Sequence, residues 1–321
     1  MGGGTQRVRA SGAARRGPVR FGAVRALVTG ARGFVGSWLT AHLLERGDDV
    51  TGVDHEADIT DPDAVRAVMA EAEPDVVYHL AAVTHVGKSW TDPAEVLRVN
   101  GIGTLLVLEA ARSLPSPPRV LVTSSAEVYG AVPAERLPVT EEEPLAPVTP
   151  YAASKVSAEY LGVQAFLAYG LPVLRVRPFN HVGPGQSPGF VVPALAQRIV
   201  EARRSGASTI LVGNLSARRD LTDVRDVVRA YRMLAADGVP GEVYNVCSGK
   251  DVAIAEVAAR LQVLAGVELR LETDPSLARP VDVPVVRGDP AKLRAATGWQ
   301  PEIGLDETLR DVLEDTAARA A

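Results

Sequence analysis

The stretch that decides the fold is TGARGFVG, residues Thr29–Gly36, which directly follows the apolar run Val24–Val28. Gly30, Gly33 and Gly36 have the G-x-x-G-x-x-G spacing, and helical periodicity begins after them. Glycines let the backbone turn tightly and approach a pyrophosphate, whose charge then lies at the helix N-terminus. A glycine triplet alone is weak evidence for a dinucleotide site, because a strand-to-helix turn can exist without a ligand. The strand–turn–helix context favours a dinucleotide site.

An acidic residue follows at about the distance that a dinucleotide-binding fold requires. The second apolar strand, 49–54, ends in Asp54. A carboxylate there can accept a hydrogen bond from the adenosine ribose 2′-OH and would repel a 2′-phosphate. This favours NAD(H) as the cofactor, with NADP(H) possible. The alternative is an aspartate that only caps a helix or closes a turn.

A second motif, Tyr151-Ala152-Ala153-Ser154-Lys155, follows a proline-marked loop. Tyr151 and Lys155 stand at i and i+4, so they share a helix face. An ammonium beside a phenol favours phenolate, which predicts a lowered pKa for Tyr151 and a proton-transfer role. Taken alone, a Y-x-x-x-K spacing on a helix usually marks two surface residues without a catalytic role. The apolar strand 119–124, which ends in hydroxyl residues, favours the catalytic reading, because open α/β sheets bind ligands at the carboxyl ends of their strands.

These motifs together resemble those of the extended short-chain dehydrogenases/reductases that act on nucleotide sugars. The resemblance extends from Ala23 to about Leu313 and includes the glycine turn, Asp58-Ile59, His79–Ala82, Asn100-x-x-Gly103-Thr104, the serine strand, Y-x-x-x-K and Arg177–Asn180. Within the family, the chain is most similar to GDP-4-dehydro-6-deoxy-D-mannose reductases. That narrower likeness rests on the strings Phe179–Val191, Gly213–Leu215, Arg219–Asp226 and Tyr244–Gly249.

The resemblance implies reduction of the 4-keto group of a nucleotide-linked 6-deoxyhexose, from GDP-4-dehydro-6-deoxy-D-mannose to GDP-6-deoxymannose (GDP-rhamnose). The implied catalytic residues are Ser125, Tyr151, Lys155 and Glu127. The implied cofactor contacts are Gly30, Gly33, Phe34, Val35, Gly36, Asp54, Asp58, Ile59, Leu80, Ala81, Ala82, Asn100, Ser124, Tyr151, Lys155 and Pro178. The implied substrate contacts are His85, Ser125, Asn180, Val191, Arg219, Arg279 and Asp282, with the two arginines on the diphosphate.

Glu127 and its neighbour leave alternatives open. Dehydratases of the family take the C5 proton with a glutamate at this position, and commonly carry an acid or hydroxyl one residue earlier. Here that neighbour is Ala126, which can neither donate nor accept a proton. The sequence therefore favours a reductase over a GDP-mannose 4,6-dehydratase, followed by a nucleotide-sugar 4-epimerase. A non-catalytic nucleotide-sugar sensor is a fourth alternative, disfavoured because Ser125, Tyr151 and Lys155 are intact.

The alternation of strands and helices predicts an α/β fold. Predicted strands at 24–29, 49–54, 75–80, 119–124 and 172–177 alternate with predicted helices at 34–46, 61–72, 92–112 and 151–169. This is a Rossmann-type doubly wound parallel sheet with a smaller C-terminal substrate-binding lobe. We expect a basic, disordered tail at 1–22, a dinucleotide-binding domain at 23–178 and 221–248, and a nucleotide-sugar lobe at 179–220 and 249–321.

Composition limits the partners. The net charge of −5 gives no support for nucleic-acid binding, and no apolar run approaches the roughly 20 residues that span a bilayer. The single cysteine, Cys247, suits a reducing cytoplasm, and five scattered histidines suggest no metal site. We therefore expect a cytoplasmic protein with a small-molecule substrate and, from the family resemblance, a homodimer.

Overall fold

The computed structural model describes residues 23–84, 86–277 and 282–320, so the predicted tail at 1–22 lies outside the described residues. The strands are β1 Arg25–Thr29, β2 Asp49–Val53, β3 Val76–His79, β4 Arg119–Thr123, β5 Val173–Pro178, β6 Asn180–Val182, β7 Thr209–Val212, β8 Arg218–Asp223, β9 Val243–Val246, β10 Asp251–Ala253, β11 Arg270–Thr273 and β12 Val285–Val286. The helices are α1 Phe34–Glu45, α2 Pro62–Ala72, α3 Val86–Ser89, α4 Pro93–Leu97, α5 Gly103–Ser113, α6 Pro150–Tyr169, α7 Val191–Ser205, α8 Val224–Asp237, α9 Ile254–Ala265, α10 Ala291–Thr297 and α11 Leu305–Ala320.

The central sheet has six strands in the order β2-β1-β3-β4-β5-β9, and every neighbouring pair is parallel. The order reverses between β1 and β3, which opens a crevice at the carboxyl ends of these strands. The predicted doubly wound parallel sheet is thereby confirmed.

Helices cover both faces of this sheet, as the nearly continuous apolar strands require. On one face α1 and α8 pack against alternate strand residues such as Val28 and Leu121. On the other face α2, α5 and α6 pack against the intervening residues, such as Leu27 and Val122. Successive side chains of a strand point to opposite sides of the sheet, so each strand contributes alternate residues to the two helix layers.

A second hydrophobic core lies outside the central sheet. It is formed mainly by α7, α9 and α11, with Ile199, Leu261 and Leu309 fully buried in it. Two small sheets border this core: β10-β8-β12, with β6 also paired to β8, and the pair β7–β11. Leu293 and Trp299, which lie in the stretch 249–321, pack instead under the central sheet beside α8. The exact division of the chain into domain and lobe stays a prediction.

The predicted single helix at 92–112 is wrong. The segment forms α4, then a π-helical turn at Arg98–Ile102, and then α5. The wider turn brings the Asn100 side chain inward, where it is buried and hydrogen bonded to Val83 and Ser154. Such π-turns are frequent at functional sites. Among the described helices, none is long and apolar enough to cross a membrane.

Candidate active site

A cavity of about 1150 Å³ runs along the carboxyl edge of the central sheet. It extends from Asp54 after β2, past the glycine turn, to Ser125 after β4 and Pro178 at the end of β5. It then continues toward Arg219 and Asp282 on the side of the second core. This volume lies just above the roughly 300–1,000 Å³ of a typical small-molecule pocket.

The glycine turn closely matches the shape that a dinucleotide needs. Gly30 has φ +72°, and a Cβ there would lie 2.8 Å from the Ala81 backbone nitrogen. A Cβ on Gly36 would overlap the Gly30 carbonyl oxygen. The first turn of α1 has no side-chain cap and carries no acidic residue, so its backbone N–H groups remain available to an anion. The turn therefore fits a pyrophosphate.

Asp54 closes the turn at the far end of the cavity. Its Oδ2 accepts the Arg32 backbone N–H at 2.9 Å, and its Oδ1 accepts the His55 backbone N–H at 3.0 Å. The Arg32 guanidinium pairs with Glu56 at the surface. Arg32, His55 and Asp54 all line the cavity. A carboxylate and a guanidinium therefore both stand near the expected position of the adenosine ribose.

Ser125 and Tyr151 meet at the other end of the cavity. Thr149 caps α6 by accepting the Ala152 backbone N–H at 3.0 Å, and Tyr151 lies in the first turn, 8% exposed. The Ser125 Oγ accepts the Glu127 backbone N–H at 3.2 Å, which leaves its own proton to donate. Burial raises the pKa of Tyr151 to about 12, although its hydrogen bond with Ser125 opposes that shift. The phenol is therefore protonated at neutral pH.

The predicted lowering of the Tyr151 pKa by Lys155 is wrong for this structure. The Lys155 Nζ lies 6.0 Å from the centre of the Tyr151 ring and donates instead to the Thr123 carbonyl at 2.9 Å. Burial lowers the pKa of Lys155 to about 8. Desolvation disfavours the charged form of both groups, and at this separation the ammonium does not overcome it.

Asn100 supports the site from behind. Its side-chain amide donates to the Val83 carbonyl at 3.1 Å and to Ser154 Oγ at 2.9 Å, and Ser154 donates to the Tyr151 carbonyl at 2.7 Å. Asn100 is not among the residues that line the cavity, and its predicted cofactor contact stays a prediction. In this structure its side chain anchors the first turn of α6.

A buried histidine extends the same chain of hydrogen bonds. Thr104 donates to the Asn100 carbonyl, so the His79 Nε2 must donate to Thr104 Oγ1, at 2.9 Å. The His79 Nδ1 then accepts from Thr29 Oγ1 at 2.8 Å, and Thr29 Oγ1 accepts the Ala81 N–H at 3.3 Å. Burial, with the nearby charge of Lys155, lowers the pKa of His79 to about 3, so the ring is neutral. The sequence did not single out His79 as a site residue.

At the end of the cavity nearest the second core, the Arg219 guanidinium already has a carboxylate and a carbonyl partner. The Arg219 Nη2 donates to Asp282 Oδ1 at 2.6 Å, and its Nη1 donates to the Val283 carbonyl at 2.8 Å. Asp282 also accepts from Asn214 Nδ2 at 2.6 Å. These contacts bring Arg219 and Asp282 together at one end of the cavity. Their predicted contact with a nucleotide sugar stays a prediction.

Most of the predicted site residues line this one cavity. They are Gly30, Gly33, Phe34, Val35, Gly36, Asp54, Asp58, Ile59, Leu80, Ala81, Ala82, Ser124, Ser125, Glu127, Tyr151, Lys155, Pro178, Asn180, Arg219 and Asp282. Val191 does not, because it begins α7 and packs against the second core, whereas its neighbour Phe190 lines the cavity. His85 and Arg279 lie outside the described residues.

Sequence reasoning missed several cavity residues. His181 stacks on Phe34 of the glycine turn, with ring centroids 6.0 Å apart, and its Nδ1 donates to the Phe179 carbonyl at 3.0 Å. Burial lowers the pKa of His181 and keeps the ring neutral, which leaves Nε2 as an acceptor. Its place in the string Phe179–Val191 was the one signal that could have found it. Tyr231 on α8 also lines the cavity, and no local motif marks it.

Comparison with known proteins gives a consistent result. Residues 53–312 match the family model described as GDP-mannose 4,6 dehydratase. The chain is 40% identical to the GDP-6-deoxy-D-mannose reductase of Pseudomonas aeruginosa, over 92% of this chain and 98% of that protein. It is 34% identical to the UDP-glucose 4-epimerase of Mycolicibacterium smegmatis, over 91% of this chain and 98% of that protein.

Solved structures agree with the sequence relatives. The structure of RMD from Pseudomonas aeruginosa complexed with NADPH superposes with a TM-score of 0.85 at 39% identity, covering 92% of this chain and 99% of that one. The chain therefore belongs to the GDP-mannose 4,6-dehydratase family, which confirms the predicted family resemblance.

Proposed function

We propose that this protein is an NAD(P)-dependent enzyme that reduces the 4-keto group of GDP-4-dehydro-6-deoxy-D-mannose to give GDP-6-deoxymannose. The observation that carries the proposal is the set Ser125, Tyr151 and Lys155 at one end of a dinucleotide-shaped cavity, with Ala126 beside Ser125. The 40% identical reductase from Pseudomonas aeruginosa supports the same reaction. The cofactor, when bound, supplies the hydride.

The side chains divide the remaining work. Ser125 has a proton to donate, so it orients the sugar oxygen at C4, and Tyr151, protonated at neutral pH, gives the proton that completes the alcohol. Lys155 lies one helical turn from Tyr151 and holds the cofactor ribose while its charge compensates the phenolate that proton transfer leaves. The glycine turn binds the pyrophosphate, and Asp54 the adenosine ribose.

The nucleotide-sugar half rests on Arg219, Asp282 and Asn180. A guanidinium pairs with diphosphate oxygens in a planar, two-pronged geometry. Arg219 already points into the cavity against Asp282, so the diphosphate takes over part of that interaction when it binds. The Asp282 carboxylate can then accept a hydrogen bond from the nucleoside. Arg279, outside the described residues, is proposed as the second arginine on the diphosphate.

A dehydratase is the second candidate, and Glu127 is the observation that favours it. Glu127 lines the cavity next to the catalytic hydroxyls, where a base could take the C5 proton. Loss of the C6 hydroxyl also needs a proton donor, and Ala126 supplies none. A 4-epimerase, the third candidate, uses the same Ser/Tyr/Lys set and is supported by the 34% identical relative from Mycolicibacterium smegmatis.

A product assay separates these candidates. The pure protein is incubated with GDP-mannose alone, and in parallel with GDP-4-dehydro-6-deoxymannose plus NADH or NADPH, and the products are identified by mass spectrometry and NMR. We expect conversion only of the ketone, with consumption of one reduced cofactor per sugar. A 4-keto-6-deoxy sugar formed from GDP-mannose would promote the dehydratase, and sugar inversion without net cofactor use would promote the epimerase.

We also propose a cytoplasmic homodimer. Leu97, Ile102, Tyr160 and Leu167 are 48% to 75% exposed on the neighbouring segments α4, the π-turn and α6. An apolar surface of this kind marks a protein–protein contact, and α6 carries Tyr151. Leu167→Glu should shift the protein to monomer in analytical ultracentrifugation. The control Val263→Glu, at an 80% exposed position on α9, should not.

A further inference from the structure

A buried ion pair joins α6, the helix that carries Tyr151, to strand β5. Glu159 of α6 is 0% exposed, and Arg177 of β5 is 4% exposed. The Arg177 Nε donates to Glu159 Oε2 at 3.0 Å, and its Nη2 donates to Oε1 of the same carboxylate. Burying two charges costs desolvation energy, and an apolar pair of similar volume is often equally stable. The informative feature of this ion pair is therefore its place between two elements that carry the site.

The carboxylate of the pair fixes the catalytic face of α6. Tyr151, Lys155 and Glu159 stand at i, i+4 and i+8 of this helix, so their side chains lie along one side of it. The Glu159 carboxylate also accepts from Arg175 Nη1 at 3.4 Å. Two neighbouring arginines of β5 therefore hold the same helix face that presents the phenol.

The guanidinium of the pair reaches the turn that presents Ser125. The Arg177 Nη1 donates to Tyr129 Oη at 2.8 Å, and the guanidinium carbon lies 4.8 Å from the centre of the Tyr129 ring. Tyr129 is the last residue of the 3₁₀ turn Ala126–Tyr129, and Ser125 caps the first residues of that turn. One arginine therefore contacts both the helix of Tyr151 and the turn of Ser125.

The hydrogen bonds along this path have a single possible direction. Arg177 only donates, so Tyr129 Oη accepts from it and donates its own proton to Asn245 Oδ1, at 2.7 Å. Burial raises the pKa of Tyr129 to about 12, which keeps that proton in place. The Asn245 Nδ2 in turn donates to the Val139 carbonyl at 2.9 Å. A buried network with paired donors and acceptors is rigid.

The turn and the helix are thus connected at two points. The first is the hydrogen bond between Ser125 and Tyr151 inside the cavity. The second is the path from Glu159 through Arg177 to Tyr129, which we call the Glu159–Arg177–Tyr129 bridge. A sugar oxygen that accepts from both catalytic hydroxyls takes the place of their direct hydrogen bond. The bridge remains intact in that complex.

We propose that Glu159, Arg177 and Tyr129 are positioning residues, whose buried bridge sets the distance between the Ser125 and Tyr151 hydroxyls when a sugar oxygen lies between them. This inference rests on the proposed reaction of the same site. A displacement of about 1 Å in a reacting group can cost on the order of 10²-fold in rate, so the bridge acts on turnover.

The chain offers a matched control for the ion pair. Asp48 and Arg232 form another buried pair, with the Arg232 Nε 2.8 Å from Asp48 Oδ2. Asp48 directly precedes β2, so it lies at the amino edge of the sheet, opposite the cavity. Glu159→Gln and Asp48→Asn each replace a buried carboxylate by an amide of the same shape. Both variants should unfold at a lower temperature than the wild-type protein.

A second control matches Tyr129. Tyr244 is 2% exposed, against 3% for Tyr129, and its hydroxyl accepts the Val239 N–H at 2.9 Å. Tyr129→Phe and Tyr244→Phe each remove one buried, hydrogen-bonded hydroxyl and leave the ring. Only Tyr129→Phe disconnects the bridge from the turn of Ser125, and it leaves the ion pair in place.

The test is steady-state ketone reduction, measured with GDP-4-dehydro-6-deoxymannose and saturating reduced cofactor, well below the lowest unfolding temperature of the set. Glu159→Gln should lower kcat about 10- to 100-fold and leave KM within about twofold, because the ground-state contacts to the sugar nucleotide are intact. Tyr129→Phe should lower kcat less. The double variant should lose no more than Glu159→Gln alone, since the bridge breaks only once. Asp48→Asn and Tyr244→Phe should keep the wild-type kcat.

The outcomes separate the bridge from the proposed function. Wild-type kcat in both Glu159→Gln and Tyr129→Phe, equal losses in their controls, or additive losses in the double variant would overturn the bridge while the reductase proposal stands. If Glu159→Gln does not fold, Tyr129→Phe against Tyr244→Phe decides the matter alone. If the wild-type protein proves to be a dehydratase or an epimerase, the reductase proposal falls, and the same kcat comparison on that reaction decides the bridge. A wild-type protein inactive in all three reactions would overturn both.

Discussion

The two ends of the cavity are built in opposite ways. At the adenosine end, Asp54, Arg32 and Glu56 come from adjacent turns, and the Arg32 and Glu56 side chains are 72% and 49% exposed. At the catalytic end, Tyr151, Lys155 and Thr123 come from two distant elements, and Tyr151 and Lys155 are more than nine-tenths buried. Water screens the first set of charges, whereas burial shifts the pKa values of the second. Changes at the catalytic end should therefore have larger effects.

The largest effect should come from removing the proton donor. Tyr151→Phe should fold and bind cofactor, yet lose turnover by roughly 10²-fold or more, the usual scale of general acid–base assistance. Tyr160→Phe, on the exposed side of the same helix, is the control. Steady-state kinetics with near-wild-type turnover in Tyr151→Phe would remove this residue from the mechanism.

The burial of Lys155 should appear in the pH dependence of stability. Its pKa is lowered to about 8 in the folded state, against 10.5 for a free lysine, so between these pH values the unfolded chain binds the extra proton. The free energy of unfolding without cofactor should therefore gain up to about 3 kcal/mol from this group as the pH rises from 8 to 10.5.

Urea unfolding of Lys155→Met across that pH range measures this contribution. The variant should lose the rise that the wild-type protein shows, whereas Lys250→Met, at an exposed position, should keep it. Parallel pH profiles for the wild-type protein and Lys155→Met would mean that the ammonium is solvated.

At the adenosine end, NAD(H) should bind more tightly than NADP(H). A 2′-phosphate would face the Asp54 carboxylate, and Arg32 is already paired with Glu56. Asp54→Asn should shift the affinity ratio toward NADPH by about tenfold, the size of a partly screened charge interaction. Asp63→Asn, on exposed α2, is the control. Wild-type binding of NADPH as tight as that of NADH would refute this preference.

The smallest effect should come from Glu127. A ketone reductase does not abstract the C5 proton, so Glu127→Gln should keep reduction within about threefold of wild type, under 1 kcal/mol. In deuterated water, no deuterium should appear at C5 of the product. If Glu127→Gln loses ketone reduction, and the wild-type protein introduces solvent deuterium at C5, Glu127 would instead be assigned the role of a base.

Prediction from sequence succeeded where a short segment carries its own geometry. The glycine turn and the Y-x-x-x-K pair act through backbone shape and helical spacing, which neighbouring residues determine. It could not place the Asn100 side chain, because the π-turn that turns it inward depends on contacts with Val83 and Ser154, which lie elsewhere in the chain. It could not place the Val191 side chain either, because that side chain packs against the second core, which forms only in the folded chain.

The amino-acid sequence by itself determined the parallel α/β fold and the dinucleotide turn, because periodicity and local spacing are enough to specify them. The role of Tyr151 as proton donor was implied by the family resemblance and stays a prediction. Only the tertiary structure decided the protonation states of the site residues and which residues from distant segments line the cavity. Burial raises the pKa of Tyr151 against the effect expected of Lys155, and α8 brings Tyr231 to the cavity from 80 residues beyond Tyr151. Desolvation and contacts between distant segments exist only once the chain has folded, so no local pattern can reveal them.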